Sequence, residues 1–202
     1  FKMAKKWSMV INKILICLAF ILTLSFQSST KADDIRDFQI EGISIGDSLL
    51  DYFTKEKIIK EKKFYKLGGK LLDGYSKIFK MNNNKVYDNV VLYFESDDRK
   101  YIIQGISGRK YYKNNINECY KAQDKIVNEI KLITPNAKIV ALKKDKHSRF
   151  KNSYIKKTIF FLNDADISIF CYDYSKKDTT SMDRLSVIIR FEKMNIYLRS
   201  TK

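Results

Sequence analysis

The stretch 115–134 sets the strongest limit on what this chain can fold into. Ile116, Cys119, Tyr120, Ile126, Val127, Ile130 and Ile133 recur at helical spacing, while Glu118, Lys121, Asp124, Lys125, Asn128 and Lys131 lie largely outside that stripe. Asn115 with Glu118 has the spacing of a capping box, and Pro135, the only proline, stops the helix. Such a stripe needs an apolar surface to cover, and the flanking sequence supplies one of a different period. Val86, Val90, Leu92 and Phe94 alternate onto one face, with Asp88 the exception, and Ser96-Asp97-Asp98-Arg99 reads as a hairpin turn into a strand over Lys100–Ile106. In that second strand Ile102 and Ile106 share a face. Beyond Pro135 come a short strand at Ile139–Leu142, a basic loop, and strand-like runs at Tyr154–Leu162, Ile167–Tyr174 and Arg184–Arg199. One long helix among sequential strands predicts an α+β fold: a mostly antiparallel sheet with the helix packed on one face.

The N-terminal 32 residues obey another logic. Lys2, Lys5, Lys6 and Lys13 precede the uncharged run 14–26, polar Gln27-Ser28-Ser29 follows, and Thr30 and Ala32 occupy the −3 and −1 positions before Asp33. This is the layout of a cleavable signal peptide over residues 1–32. The apolar run would rise only about 20 Å as a helix, short of a hydrocarbon core of about 30 Å, although an uncleaved anchor is the competing reading. Export implies a periplasmic or secreted protein with no transmembrane span in its mature form. Residues 33–202 then form a single α+β domain, in which 33–85 reads as an irregular, partly helical lead-in. There Asp47 or Ser48 serves as one N-cap and Thr54 as another, while Gly68-Gly69 and Gly74 mark turns.

Charge narrows the partners less than its size suggests. The chain carries 39 Lys+Arg against 23 Asp+Glu, a net charge of +16, and losing residues 1–32 leaves 34 basic residues, or +11. Lysine, asparagine and isoleucine dominate, the types that AT-rich codons favour, so composition bias competes with selection for a polyanionic partner. Nucleic acid is not expected for an exported protein. With one His and three Cys, no transition-metal site is expected, nor is a cofactor. Cys119 and Cys171 remain after cleavage; in an oxidising compartment they either pair or sit as separate buried thiols.

Two segments carry resemblances. Gly46-Asp47-Ser48-Leu49 resembles the nucleophile block of GDSL-type esterases and lipases, which implies Ser48 as nucleophile, His147 as base and Asp145 as its carboxylate. That family places the carboxylate three residues before a histidine near the C-terminus; here Asp145 is two before His147, within Lys144-Asp145-Lys146-His147. Without a positioned base a serine hydroxyl is a poor nucleophile. The same letters also read as a glycine turn followed by a helix cap. The longer phrase from Asp37 to Phe53 resembles the mature start of small exported proteins of unknown function from streamlined, low-GC marine alphaproteobacteria. That resemblance implies export and supplies no activity.

The remaining candidate is the basic segment with Lys143, Lys144, Lys146, Arg149 and Lys151, beside Phe150 and Tyr154. It suits an anionic lipid or another polyanion surface, or it is a solvated connection. The expectation is therefore a non-enzymatic binding domain for an envelope component or another protein, with a GDSL-like serine hydrolase as the alternative.

Overall fold

The computed structural model describes residues 34–67, 70–80, 85–113, 115–148, 150–177 and 181–195, without the side chains of 66, 67, 70–73 and 143. These residues belong to one compact unit, Ala32–Lys202. The expected signal peptide lies outside the described residues.

Local sequence explains the entry into the fold. A 3-10 turn at Leu49–Asp51 starts at Ser48, whose side chain accepts from Leu50 N while Asp51 accepts from Ser48 N. Helix α1 (Lys55–Glu61) starts at Thr54, whose hydroxyl accepts from Lys57 N. Eight strands follow: β1 (Lys63–Leu67), β2 (Lys70–Lys80), β3 (Asn89–Glu95), β4 (Ile103–Tyr112), β5 (Lys138–Lys146), β6 (Tyr154–Phe161), β7 (Ala165–Asp173) and β8 (Asp183–Phe191). Helix α2 (Ile116–Ile133) interrupts them between β4 and β5. The strands make one sheet of order β1-β2-β3-β4-β8-β7-β6-β5, and each pairing is antiparallel. Two four-stranded meanders therefore meet at the β4–β8 pair, the β5–β8 half arriving after the helix.

Helix α2 lies over β7, β8 and β4. Its buried residues are Gln123 and, from the expected stripe, Cys119, Val127 and Ile130, with Ile116, Tyr120 and Ile126 half-buried against the same core. Gln123 is tolerated there because its Nε2 donates to the carbonyls of Ile169 (2.9 Å) and Lys156 (3.2 Å). The capping box is only half formed: Asn115 accepts from Glu118 N, but Glu118 turns outward to Lys121. Beneath the helix, Val90, Leu92, Phe94, Ile106, Ile167, Ile169, Val187 and Ile189 form the main core. Ile40, Ile43, Ile45 and Leu49 seal the same core, held by Gly46 N–H donating to Ile103 O (2.8 Å) and Ile103 N–H donating to Asp47 O (2.8 Å). Gly46 has φ +91°, backbone that a Cβ would disfavour. Glu41 ties this segment to the sheet by accepting from the amides of Lys85, Val86 and Tyr87 at 2.7–2.9 Å.

Several expectations are corrected. Residues 63–80 are not an irregular lead-in but the hairpin β1–β2, with Gly74 inside a strand. The two-residue period is hidden in β2 because both of its faces are packed. Ile78 enters the main core, while Tyr75 and Phe79 join a second cluster with Val91, Tyr93 and Met194. Strand β4 begins at Ile103, after Tyr101 at φ +53°, and a register shift opposite Tyr93/Phe94 turns Ile103 and Ile106 inward instead of Ile102 and Ile106. Val86 precedes β3 and is exposed. The basic loop after Leu142 is the second half of β5, an edge strand on which lysines are tolerated. Strand β8 stops at Phe191; residues 192–195 are helical and bring Met194 onto the second cluster. No described helix is long and apolar enough to cross a membrane.

Candidate functional site

The residues that would form a serine hydrolase are not brought together. Ser48 Oγ donates to Lys100 O (2.8 Å) and accepts from Leu50 N (3.1 Å), so the hydroxyl is a structural cap. Ser48 bridges Ile102, just before β4, whereas the His147 ring lies 6.0 Å from that of Tyr172, whose neighbours in the sheet pair near Tyr112 at the other end of β4. At about 3.3 Å per strand residue, the two are separated by roughly 30 Å. Asp145 does not orient the imidazole either: Lys157 Nζ binds it at 3.0 Å and holds its carboxyl below the usual range. His147 Nδ1 accepts from Phe150 N (3.3 Å), and its ring packs against Phe150, Tyr172 and Tyr174.

The basic segment is dispersed along the β5 edge and its turn. Lys144 Nζ lies 3.9 Å above the Tyr154 ring. Lys146 and Lys151 join His147, Phe150, Asn152 and Tyr154 around a surface hollow of ≈ 550 Å³. The Lys143 side chain and Arg149 lie outside the described residues. Cys119 and Cys171 are joined by a disulfide with Cα atoms 6.0 Å apart, which staples α2 to β7.

The arrangement with more chemical content lies on the far face of the sheet, opposite α2. Strand alternation fixes which side chains appear there. Val90, Leu92, Ile106, Val187, Ile189 and Ile169 point to the helix, so their neighbours Asn89, Val91, Ser107, Arg109, Ser186, Ile188 and Phe170 point away. Register makes Arg109 the centre of this set: it pairs with Asn89 on one side and Ser186 on the other, with Ser107 and Tyr111 two residues away along β4. Arg184 pairs with Tyr111, one step diagonally from Arg109. With strands about 4.8 Å apart, these groups share a patch roughly 10 Å across.

Aromatic rings frame the patch. Tyr172 and Tyr174 stack with centroids 5.9 Å apart, and the Arg184 guanidinium carbon lies 4.6 Å from the first and 5.7 Å from the second. Tyr65 and Tyr93 meet edge to face at 4.9 Å on the other flank. Burial pushes the phenols of Tyr65, Tyr93 and Tyr174 up, although Arg109 opposes the shift at all three and Arg184 at the last two. They remain neutral hydrogen-bonding groups.

The electrostatics there are one-sided. Arg190 is neutralised by Asp166, with Nε–Oδ1 at 2.7 Å and Nη2–Oδ2 at 3.0 Å. Arg109 and Arg184 have no such carboxylate among the described residues. Three polar atoms of the patch, Asn89 Oδ1, Ser107 Oγ and Arg184 Nε, are buried with no hydrogen-bond partner. Asn89 Nδ2 is committed to Tyr111 Oη at 3.1 Å, so the orphan is its acceptor end. Leaving buried polar atoms unmatched costs about 1–3 kcal/mol each, and a fourth such atom, Gln123 Oε1, lies beneath the helix on the opposite face. Among the described residues no three of His, Cys, Asp and Glu converge as metal ligands.

Sequence reading overlooks this patch because Ser107, Arg109, Asn89 and Arg184 are scattered in three strands and look like the solvent side of an alternation. One signal was available. The chain has 32 Lys but only 7 Arg, and Arg109, Arg184 and Arg190 share this face. A codon bias that supplies lysine does not explain them.

No protein-family model, curated protein or solved structure matches the chain.

Proposed function

We propose that this chain is an exported, non-enzymatic binding domain that holds an anionic ligand, or the anionic group of an envelope component, on its arginine–tyrosine face. The observation that carries this reading is that Arg109 and Arg184, both half-buried on one face of the sheet, have no carboxylate partner among the described residues. The exposed part of a half-buried guanidinium without a carboxylate partner is a ready donor of charge-assisted hydrogen bonds to an anion. Nothing comparable supports hydrolysis, since the Ser48 hydroxyl is occupied by backbone and lies far from the only imidazole. Export rests on the layout of residues 1–32, and the Cys119–Cys171 disulfide suits the oxidising compartment that export implies.

Titration calorimetry with sulfate at low and high salt tests the binding half. Saturable binding that weakens in Arg109→Met and Arg184→Met supports it; absence of binding at millimolar sulfate, or binding indifferent to both substitutions, removes it. Intact mass of the exported protein tests the compartment half: cleavage after Ala32 is expected, and an intact N-terminus in the cytoplasm would overturn it.

A further inference from the structure

The sheet has two edges among the described residues, β1 and β5, and they are not equivalent. Strand β1 is five residues long, and its register shifts in mid-strand, between Phe64 and Tyr65. A short, irregular edge offers little for another strand to pair with. Strand β5 has nine residues and runs without a shift from Lys138 to Leu142; its irregularity lies beyond, between Leu142 and Asp145. Pro135 precedes the strand, and no proline lies within it. Among the described residues β5 pairs with β6 alone, so alternate amides and carbonyls of the regular run face outward. Ile139 pairs with Phe160 of the main core and shares its side of the sheet, while Val140 and Leu142 take the other side. These three are 39 %, 38 % and 42 % exposed, so the run shows aliphatic side chains on both faces beside its bare backbone.

Charge decides what such an edge accepts. Strand β5 contains Lys138, Lys143, Lys144 and Lys146, and its single acid, Asp145, is held by Lys157 Nζ at 3.0 Å. Nearby, Asp124 of α2 is likewise held by Lys156 Nζ of β6 at 2.6 Å. The side chains of Lys138 and Lys146 have no carboxylate partner among the described residues. Lysines on an edge repel a like strand, and the chain carries +16 overall, so a second copy is a poor occupant. We propose that the Lys138–Leu142 edge of β5 is a docking site for an extended acidic segment of another protein, which adds to the sheet as a further strand. The main chain of that segment supplies the missing hydrogen bonds, and its aliphatic side chains cover Ile139 on one face and Val140 and Leu142 on the other. Its carboxylates meet Lys138 at one end and the lysines beyond Leu142 at the other. Arg109 lies four strands from β5, roughly 20 Å along the sheet, so this site is separate from the anion patch.

The probe is a fluorescein-labelled heptapeptide of alternating glutamate and valine, titrated with the full chain and read by anisotropy. One control replaces its glutamates by lysines; the other is N-methylated at two adjacent central residues, which removes a donor from each of its edges. The acidic peptide should bind saturably, and either control about tenfold or more weakly. Lys138→Glu should weaken it about 3–10-fold and Val140→Glu about tenfold, both by placing an acid against an acidic strand. Arg184→Met should leave its affinity unchanged. Both substituted β5 side chains are exposed, and amide resonances of 138–142, shifting on peptide addition while those of β1 stay still, report on the unsubstituted protein. Equal affinity for the N-methylated peptide would overturn strand addition. Weakening by Arg184→Met but not by Lys138→Glu would move the peptide to the anion patch and overturn the β5 site, as would no binding at millimolar peptide. Concentration-dependent dimerisation that shifts the 138–142 resonances would make a second copy the occupant, and co-sedimentation with phosphatidylglycerol vesicles in place of peptide binding would make it a membrane; either defeats the proposal. None of these outcomes bears on sulfate binding at Arg109 and Arg184.

Discussion

The two faces of this sheet are made from the same strands and differ by one residue in phase. Ile106 faces α2 among aliphatic side chains, whereas Ser107, its neighbour, faces the far side with a buried hydroxyl that has no partner. Val187 and Ile189 point one way, Arg184, Ser186 and Arg190 the other. On the helix side polar atoms are rare: Gln123 Nε2 donates to two carbonyls, while its Oε1 is buried without a partner. On the far side arginines, serines and tyrosines gather, and hydrogen-bonding capacity is left over. The contrast separates an aliphatic face, covered by α2, from a face where arginines and tyrosines gather.

Four measurements would break or sharpen that contrast. The largest effect is expected from the Cys119→Ala/Cys171→Ala pair, whose bridge spans 52 residues of sequence: about 4 kcal/mol of stability should vanish in urea unfolding by loop entropy. If the folded pair variant also lost sulfate binding, the faces would not be independent. Next, Ile106→Ala should cost about 2–5 kcal/mol as a core cavity. Ser107→Ala, one residue on, removes a buried hydroxyl that has no partner and should raise stability by about 1–3 kcal/mol. Equal costs at the two positions would erase the distinction.

Third, Ser48→Ala should lose about 1 kcal/mol as a missing cap, read as a lower unfolding midpoint. It should not change labelling by a fluorophosphonate probe, because wild type should not be labelled; labelling that depends on Ser48 would revive the hydrolase. The smallest effect concerns pH. Burial tends to raise the Glu41 carboxyl, but amide hydrogen bonds from Lys85, Tyr87 and Val86, helped by Lys80, outweigh it and leave the group below its ordinary value. A lowered folded pKa means that Glu41 contributes fully above its unfolded value near 4.5 and loses that contribution as pH falls through the folded one. Glu41→Gln should therefore flatten the acid limb of the stability profile below about pH 5 and leave the shape of the neutral limb unchanged. An unaltered acid limb would show that the latch is not linked to folding.

Arg184→Met adds a further contrast at almost no cost to the fold. Met keeps most of the volume against Tyr172 and Tyr174, and loss of a charge without a carboxylate partner offsets the lost cation–π contact. Stability should stay within about 1 kcal/mol while anion binding falls.

Local sequence was enough for every feature decided within a few residues. The α2 stripe, its start at Asn115 and stop before Pro135, the caps at Ser48 and Thr54, and the β6 and β7 strands all follow from side-chain periodicity and backbone hydrogen bonds within one or two turns. Tertiary structure decided the rest. The β1–β2 hairpin escaped because packing on both faces of β2 erases the alternation, and the β4 register escaped because its bulge depends on β3. Cys119 and Cys171 had to be carried together by a helix and a strand from separate parts of the chain. Arg109, Arg184, Asn89 and Ser107 became neighbours only when β8 took its place beside β4. Periodicity says which residues share a face, and pairing says which faces meet; the candidate site is a product of pairing.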